Sequence, residues 1–386
     1  MLYYKFRPAS EVSFKELLYD ELFFTSTEEC NDPFDSKSFY EFSAEKDKWK
    51  ALIKFATDSE GFSDNADVEK VSEVVCDLCP ITFDEALKLD WYSIFQKTSV
   101  YNEPLFMGAN VRAILSTLEK YRPPIRYFSS FSKSCTESLM WSHYASNHQG
   151  FCLIFRSVNK KLMQAVSHRK KSIQRSAPKG LAPSMNYALP EGFQFQDVTY
   201  VDDVKHISAF TLFPKTVAGS EFSDEEIHSL RKAQFEQYLQ KHSCWSYEEE
   251  SRLVLETPMK WLFDDQWEYT IQERLFRYEP TQLVGVVFGA RTKENDKTRI
   301  FQILEERNDR IAKSVDYPRI MFSFVAHQAT ISDRGRKIEV HPLKFVSSVH
   351  YETPGDPEFD RLYSDWRDGY SYELNGNRAS RIHVPD

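Results

Sequence analysis

The eight residues Trp245-Ser246-Tyr247-Glu248-Glu249-Glu250-Ser251-Arg252 run without a break into the apolar segment Leu253-Val254-Leu255. A strand through this stretch alternates its side chains between two faces. Tyr247, Glu249 and Ser251 then point one way, and Glu248, Glu250 and Arg252 the other. Two carboxylates and a guanidinium on a strand that continues into the core need partners or a task, because charge removed from water is costly. The stretch is therefore expected to be an active-site strand with Glu248 and Glu250 as its acids. The competing reading is a structural ion-pair ladder, since such networks mimic sites.

A chain of 386 residues is long enough to bury a large core. With 30 Phe and 20 Tyr but only 12 Gly, it is poor material for disorder and for glycine-rich phosphate loops. The dinucleotide-fold, P-loop, nucleophile-elbow and zinc-helix motifs are absent. No run of apolar residues is long enough for a membrane span, and the first residues do not read as a signal peptide. Six scattered cysteines make no disulfide framework, which fits a reducing, cytoplasmic setting. Cys76-x-x-Cys79 stands alone without a second pair, so no metal site is expected. A net charge of −9 argues against wholesale capture of nucleic acid, yet residues 156–190 carry eight Lys/Arg and no acid.

In chain order, Leu2 to Phe6 reads as a strand, and Ser13-Phe14-Lys15-Glu16 as a capping box opening a helix. Leu22 to Thr27 is a second strand, and Asn31-Asp32-Pro33-Phe34-Asp35 a turn. Residues 43 to about 124 read as a solvated, acidic helical insertion. Tyr127 to Ser132 is a strand. Ser134 with Glu137 is a second capping box, leading into a helix over Leu139 to Ala145, and Phe151 to Phe155 is a buried strand. Prolines break 156–190 into a basic loop. A strand over Asp197 to Tyr200, a helix from Ser223 to about His242 and an apolar strand over Leu283 to Phe288 follow. The series ends with a helix over Thr292 to Glu306, a strand over Ile320 to Val325 and a hairpin at Asp333-Arg334-Gly335. The fold expected is α+β, with a mixed, mostly antiparallel split sheet and flanking helices. It forms one domain over 1–345 with a polar C-terminal extension over 346–386.

The pieces Tyr3-Tyr4-Lys5-Phe6-Arg7, Leu22-Phe23-Phe24-Thr25-Ser26, Asn31-Asp32-Pro33-Phe34-Asp35, Met140-Trp141-Ser142-His143-Tyr144-Ala145 and Trp245-x-Tyr247-Glu248-x-Glu250-x-Arg252 occur in this order. The series resembles the bacterial family catalogued as domain of unknown function 2971, over roughly residues 2 to 290. A looser pattern combines an arginine on the first strand, a strand ending in Ser/Thr and a later Glu-x-Glu strand. It is similar to the Arg-Ser-Glu pattern of ADP-ribosyltransferases. That likeness implies an ADP-ribosyltransferase-like core with NAD as substrate. It also implies a toxin or phage-defence effector that modifies a macromolecular acceptor, including nucleic acid held by the basic loop 156–190.

Such chemistry passes through a positively charged, oxocarbenium-like sugar, which a fixed carboxylate stabilises. Glu250 is expected in that role, with Glu248 orienting or deprotonating the nucleophile. Arg7, or Lys5, would grip the diphosphate. Ser26 would hold the ribose or nicotinamide side, and Tyr4, Phe24 or Tyr247 would stack on the ring. His143 in the Met-Trp-Ser-His-Tyr helix is a further candidate. Two other readings stand beside this one: a metal-dependent nuclease using Asp32, Asp35 and Lys37, and a non-catalytic interaction or sensor module in which Glu248, Glu250 and Arg252 pair internally.

Overall fold

A computed structural model describes all residues of the chain other than 36–38, 60–66, 99–102, 124, 170–171, 176–184, 220–223, 256–267, 314–319, 322, 348–350, 376–377 and 384–386. Its largest sheet has eleven strands, numbered here in chain order. They are β1 (Leu2–Arg7), β2 (Thr25–Ser26), β3 (Tyr127–Ser132), β4 (Phe151–Arg156), β5 (Lys161–Met163), β6 (Gly192–Asp197), β7 (Glu250–Leu255), β8 (Leu283–Phe288), β9 (Ser323–Ile331), β10 (Ile338–Ser347) and β11 (Tyr351–Glu352). In space the order is β11-β10-β9-β8-β4-β1-β3-β7-β6-β5, with β2 also on β3. Within this sheet β8 and β9 run parallel, and the other described pairs are antiparallel. The chain is thus α+β with a mostly antiparallel sheet, as the strand spacing implied.

β1 and β4 pair along their whole length, from Leu2 opposite Arg156 to Arg7 opposite Phe151. On its other side β1 meets β3 at one position only, Tyr4 opposite Ser132. Beyond that pair the two strands part and leave a slot through the sheet. The amino group of Lys5 reaches across the slot to the Ser130 carbonyl oxygen at 3.0 Å. Parity places Tyr3, Lys5 and Arg7 on one face and Tyr4 and Phe6 on the other. The first face carries a core that includes Tyr3, Phe131, Phe155 and Leu253. The second carries Phe6, Met140, Trp141 and Ile154.

The helices are α1 (Glu11–Tyr19), α2 (Lys46–Ser59), α3 (Val68–Cys76), α4 (Phe83–Lys88), α5 (Trp91–Thr98), α6 (Pro104–Lys120), α7 (Ser138–Tyr144), α8 (Lys215–Ala218), α9 (Asp224–Gln237), α10 (Glu294–Ala312) and α11 (Phe359–Arg367). Among the described residues no helix is long and apolar enough to cross a membrane. α10 makes the crossover that the parallel β8–β9 pair requires.

Several elements differ from the sequence expectation, each for a local reason. α1 starts at Glu11 because Ser10, not Ser13, caps it: the Ser10 hydroxyl accepts from the Ser13 amide at 3.3 Å. Glu16 is thereby free to pair with Arg7 at 2.9 Å. α7 likewise starts at Ser138, capped by the Glu137 carboxylate rather than by Ser134. The insertion over 43–124 is more than a solvated excursion. α2 to α6 enclose a core of their own around Trp49, Trp91 and Phe95, completed by Phe210 and Val217 from much later in the chain. Residues 346–386 are not merely a polar extension. α11 buries Phe359, Leu362 and Trp366 on the sheet, and the Trp366 indole donates to the Val284 carbonyl at 2.9 Å. Within the basic loop, residues 172–175 and 185–188 pair as a short hairpin.

Gly150 enters β4 after a turn in which Ser146, Asn147 and His148 all have positive φ. A Cβ at Gly150 would lie 2.1 Å from the Arg7 carbonyl oxygen, so only glycine lets this turn close against the end of β1. Replacing Trp366 by Ala removes a buried ring and its hydrogen bond. The expected loss of unfolding free energy is about 3–5 kcal/mol, read by urea denaturation.

Candidate functional site

The strand expected over 245–255 begins only at Glu250. Residues Ser243–Glu248 form a 3₁₀ turn, closed by the Glu249 amide donating to Ser246 O at 3.2 Å, with Glu249 in the left-handed region at φ 43°. Strand alternation therefore applies to Glu250 and Arg252, which share a face, and to Ser251, which points away and bonds Asp197 at 2.6 Å. Glu248 reaches the same place from the helical turn instead. This corrects the sequence reading: the serines at 243 and 246 favour a turn over continuation of the strand.

Arg252, fully buried, is the hub. Its Nε and Nη2 fork onto the two oxygens of Glu250 at 2.7 and 2.9 Å. Nη2 also reaches Asp35 Oδ1 at 2.6 Å, Nη1 donates to Tyr238 O at 2.9 Å, and the guanidinium lies 4.4 Å from the Phe128 ring centre. Lys241 enters from a short strand over Gln240–His242. It contacts Glu248 at 2.5 Å, Glu250 at 3.2 Å and Asp35 at 3.3 Å. Tyr144, from α7, donates to Glu248 Oε1 at 2.7 Å. Among the described residues three carboxylates, Asp35, Glu248 and Glu250, thus share the cations Lys241 and Arg252.

Burial alone would raise the Glu250 carboxyl, but Arg252 and then Lys241 outweigh it and hold it down at about 2. Burial also pushes Glu248 up, and Lys241 offsets this only in part, so Glu248 is the acid of the pair that gains a proton first. Lys241 is desolvated too, yet Glu250, Asp35 and Glu248 keep it firmly protonated. Lys5, on the opposite face of the sheet, behaves in the other sense. Burial and then the neighbouring Arg7 charge drive it well below an ordinary lysine, while Glu16, Glu250 and Cys152 counter this only weakly.

Lys5, Asp35, Tyr144, Lys241, Glu248 and Glu250 line one cavity of about 350 Å³ at the slot between β1 and β3, with Arg252 buried behind its wall. Of the candidates, Glu248, Glu250, Lys5, Arg7 and Tyr4 all face it. Ser26 does not: it caps the short turn Thr27–Glu29, and its amide donates to Glu29 Oε2 at 2.8 Å. Phe24 points into the core between Phe193 and Phe276, and its neighbours Phe23 and Thr25 face the cavity instead. Tyr247 and the exposed His143 do not line the cavity; each packs about Trp245, which does. Lys37 lies outside the described residues. Asp35 is held by Arg252 and Lys241, and the Asp32 carboxylate accepts from the Phe34 amide at 2.9 Å. Among the described residues no three His, Cys, Asp or Glu side chains are grouped to hold a metal ion.

Lys241 and Ser129 belong to the site but are not legible as such in the sequence, and Asp35, a candidate only for metal-dependent cleavage, enters it as a partner of Arg252 and Lys241. Lys241 sits in an unremarkable Gln-Lys-His run, and Ser129 looks like one hydroxyl among several in Tyr127 to Ser132.

Residues 140–253 match the family model described as Protein of unknown function (DUF2971). No curated protein and no solved structure matches the chain. The DUF2971 match is narrower than the stretch over which the motifs resemble that family. It spans Tyr144, Lys241, Glu248, Glu250 and Arg252, and so contains much of the charged network.

Replacing Arg252 by Met would leave Glu250 and Asp35 buried without their guanidinium. The expected loss is about 3–5 kcal/mol, measured by denaturant unfolding. Because the Glu250 carboxyl is depressed in the folded state, its stabilisation is present above the usual carboxylate range and fades as pH falls towards about 2. The stability gap between the wild type and Glu250→Gln is therefore expected to shrink between about pH 5 and pH 2. A gap independent of pH would show that Glu250 carries no depressed titration.

Proposed function

We propose that the cavity binds NAD as a substrate and that the protein is an ADP-ribosyltransferase-like enzyme acting on a macromolecular acceptor. One observation carries this reading: Glu248, Glu250, the β1 side chains Lys5 and Arg7, and Thr25 of β2 all line the same hollow. Acids from the later half of the chain and a guanidinium from its first strand are the two groups needed to cleave a nicotinamide–ribose bond. The carboxylates face the developing positive charge on the sugar, and the guanidinium faces the diphosphate.

In this reading Glu248 does the proton work. Its raised affinity for a proton and its bonds to Tyr144 and Lys241 suit a group that orients or deprotonates an incoming nucleophile. Glu250 supplies a fixed negative charge, and Arg252 sets its orientation. Arg7 must exchange Glu16 for a diphosphate, a switch that a partly exposed ion pair permits at small cost. Tyr4 and Trp245 give the cavity aromatic surface for a ring. A toxin or defence role would follow from the acceptor, with the basic stretch over 156–190 as its contact surface.

A second reading, favoured by the pairing of both Glu250 oxygens, is a structural ion-pair network inside a non-catalytic interaction module. Wild-type protein incubated with NAD should release nicotinamide or label an acceptor, read by chromatography or a labelled dinucleotide. Glu248→Gln should slow that release about 10²–10⁴-fold with unchanged circular dichroism. Wild-type protein that neither binds NAD in calorimetry nor releases nicotinamide would sink the enzymatic reading and leave the module.

A further inference from the structure

Lys5 and Ser129 meet across the slot, on the face of the sheet opposite Glu250. Lys5 Nζ stands 2.8 Å from Ser129 Oγ and 3.0 Å from Ser130 O, with the Phe131 ring centre 4.6 Å away. Both side chains are buried and both line the cavity. Among the described residues no carboxylate lies within ion-pair distance of Lys5, whereas Lys241 on the same cavity has three. A buried amine without an acid partner sheds its charge, because desolvation penalises the ammonium.

The neutral amine has two N–H donors and one lone pair. The Ser130 carbonyl can only accept, so it takes an N–H. The Ser129 hydroxyl is then the group able to donate into the lone pair, which is the relation between a nucleophile and its base. The strand supplies a further element. N–H and C=O of one strand residue leave on the same side, so the Ser130 N–H faces the slot along with its carbonyl. Here β3 meets β1 only at Ser132 and β2 only at Phe128 and Tyr127. An N–H on the residue after the nucleophile is a suitable donor to an oxyanion.

We propose that Ser129 and Lys5 form a serine–lysine dyad for acyl transfer, taking a small ester or thioester whose acyl group enters the cavity. Ser129 Oγ bonds to the acyl carbon while its proton passes to Lys5 Nζ. The tetrahedral intermediate then breaks its bond to the leaving alcohol or thiol, which takes that proton. Water attacks the acyl-serine and gives a proton to Lys5. Lys5 returns it to Ser129 Oγ as the acid departs, and no oxidation state changes. This activity goes beyond ADP-ribosyl transfer and needs no NAD.

The test uses a fluorophosphonate, which phosphonylates an activated serine, with peptide mass spectrometry to find the site. Ser129 is expected to carry the label in the full-length protein, and Ser129→Ala to carry none. Lys5→Met should slow labelling at least about 100-fold near neutral pH, and the permanently charged Lys5→Arg should fail to restore it. In wild type the labelling rate should rise with pH and level off below the ordinary lysine range. The groups that set this profile are Arg7 on β1 and Glu16 on α1, on the face of Lys5, and Glu250 on β7 and Cys152 on β4, which act from the other face of the sheet. Wild type left unlabelled even at about pH 9, label on another serine, or a folded Lys5→Met labelled as fast as wild type would each overturn the dyad and leave Lys5 as a stitch between two strands. Nicotinamide release is read separately, so either activity can fail without the other.

Discussion

Arg252 is a full positive charge with no exposure to solvent, and the shape of the cavity follows from how that charge is satisfied. A buried guanidinium needs a fork of acceptors, and Glu250 provides it from the same strand face. Asp35 provides the rest from the turn after β2, and so ties the first forty residues to β7. The excess of acid this creates draws in Lys241. Lys241 in turn positions Glu248, and Glu248 holds Tyr144 of α7. One desolvated charge thus orders four separate segments around a single hollow.

Much of this was readable in the chain. Strong runs such as Tyr127 to Ser132 and Leu283 to Phe288 appear as strands where their alternation or apolar content demanded. The pairing of Glu250 with Arg252 across one face followed from period-two spacing alone. The sequence reading faltered where local chemistry had two solutions. Glu248 lies two residues before Glu250, as on a strand, yet Ser243 and Ser246 favour a turn that delivers it by another route. Ser13 and Ser134 each begin a plausible capping pattern, but Ser10 and Glu137 are the caps.

Other parts of the site were invisible for a different reason. Lys241 has no local signature, because its three acid partners lie in a turn two hundred residues away and in the 3₁₀ turn and strand that follow it. The aromatic residues of α11 sit in a polar stretch whose apolar face appears only once the helix is wound. Ser129 gains its meaning from Lys5, more than a hundred positions upstream. Contacts of this kind belong to topology and cannot be read from composition or period.

The lone pairing of Tyr4 with Ser132 has one more consequence. Because neighbouring residues of β1 look to opposite faces, a slip of one position would move Tyr4 into the place of Lys5 and Lys5 into that of Phe6. The amine would then turn to the face that carries Glu250 and Arg252, and a phenol would take its place opposite Ser129. The division of the hollow into a side where acids cluster and a side where Lys5 stands without an ion-paired acid among the described residues is therefore a matter of odd and even. A single inserted residue upstream would erase it while leaving the amino-acid inventory almost untouched.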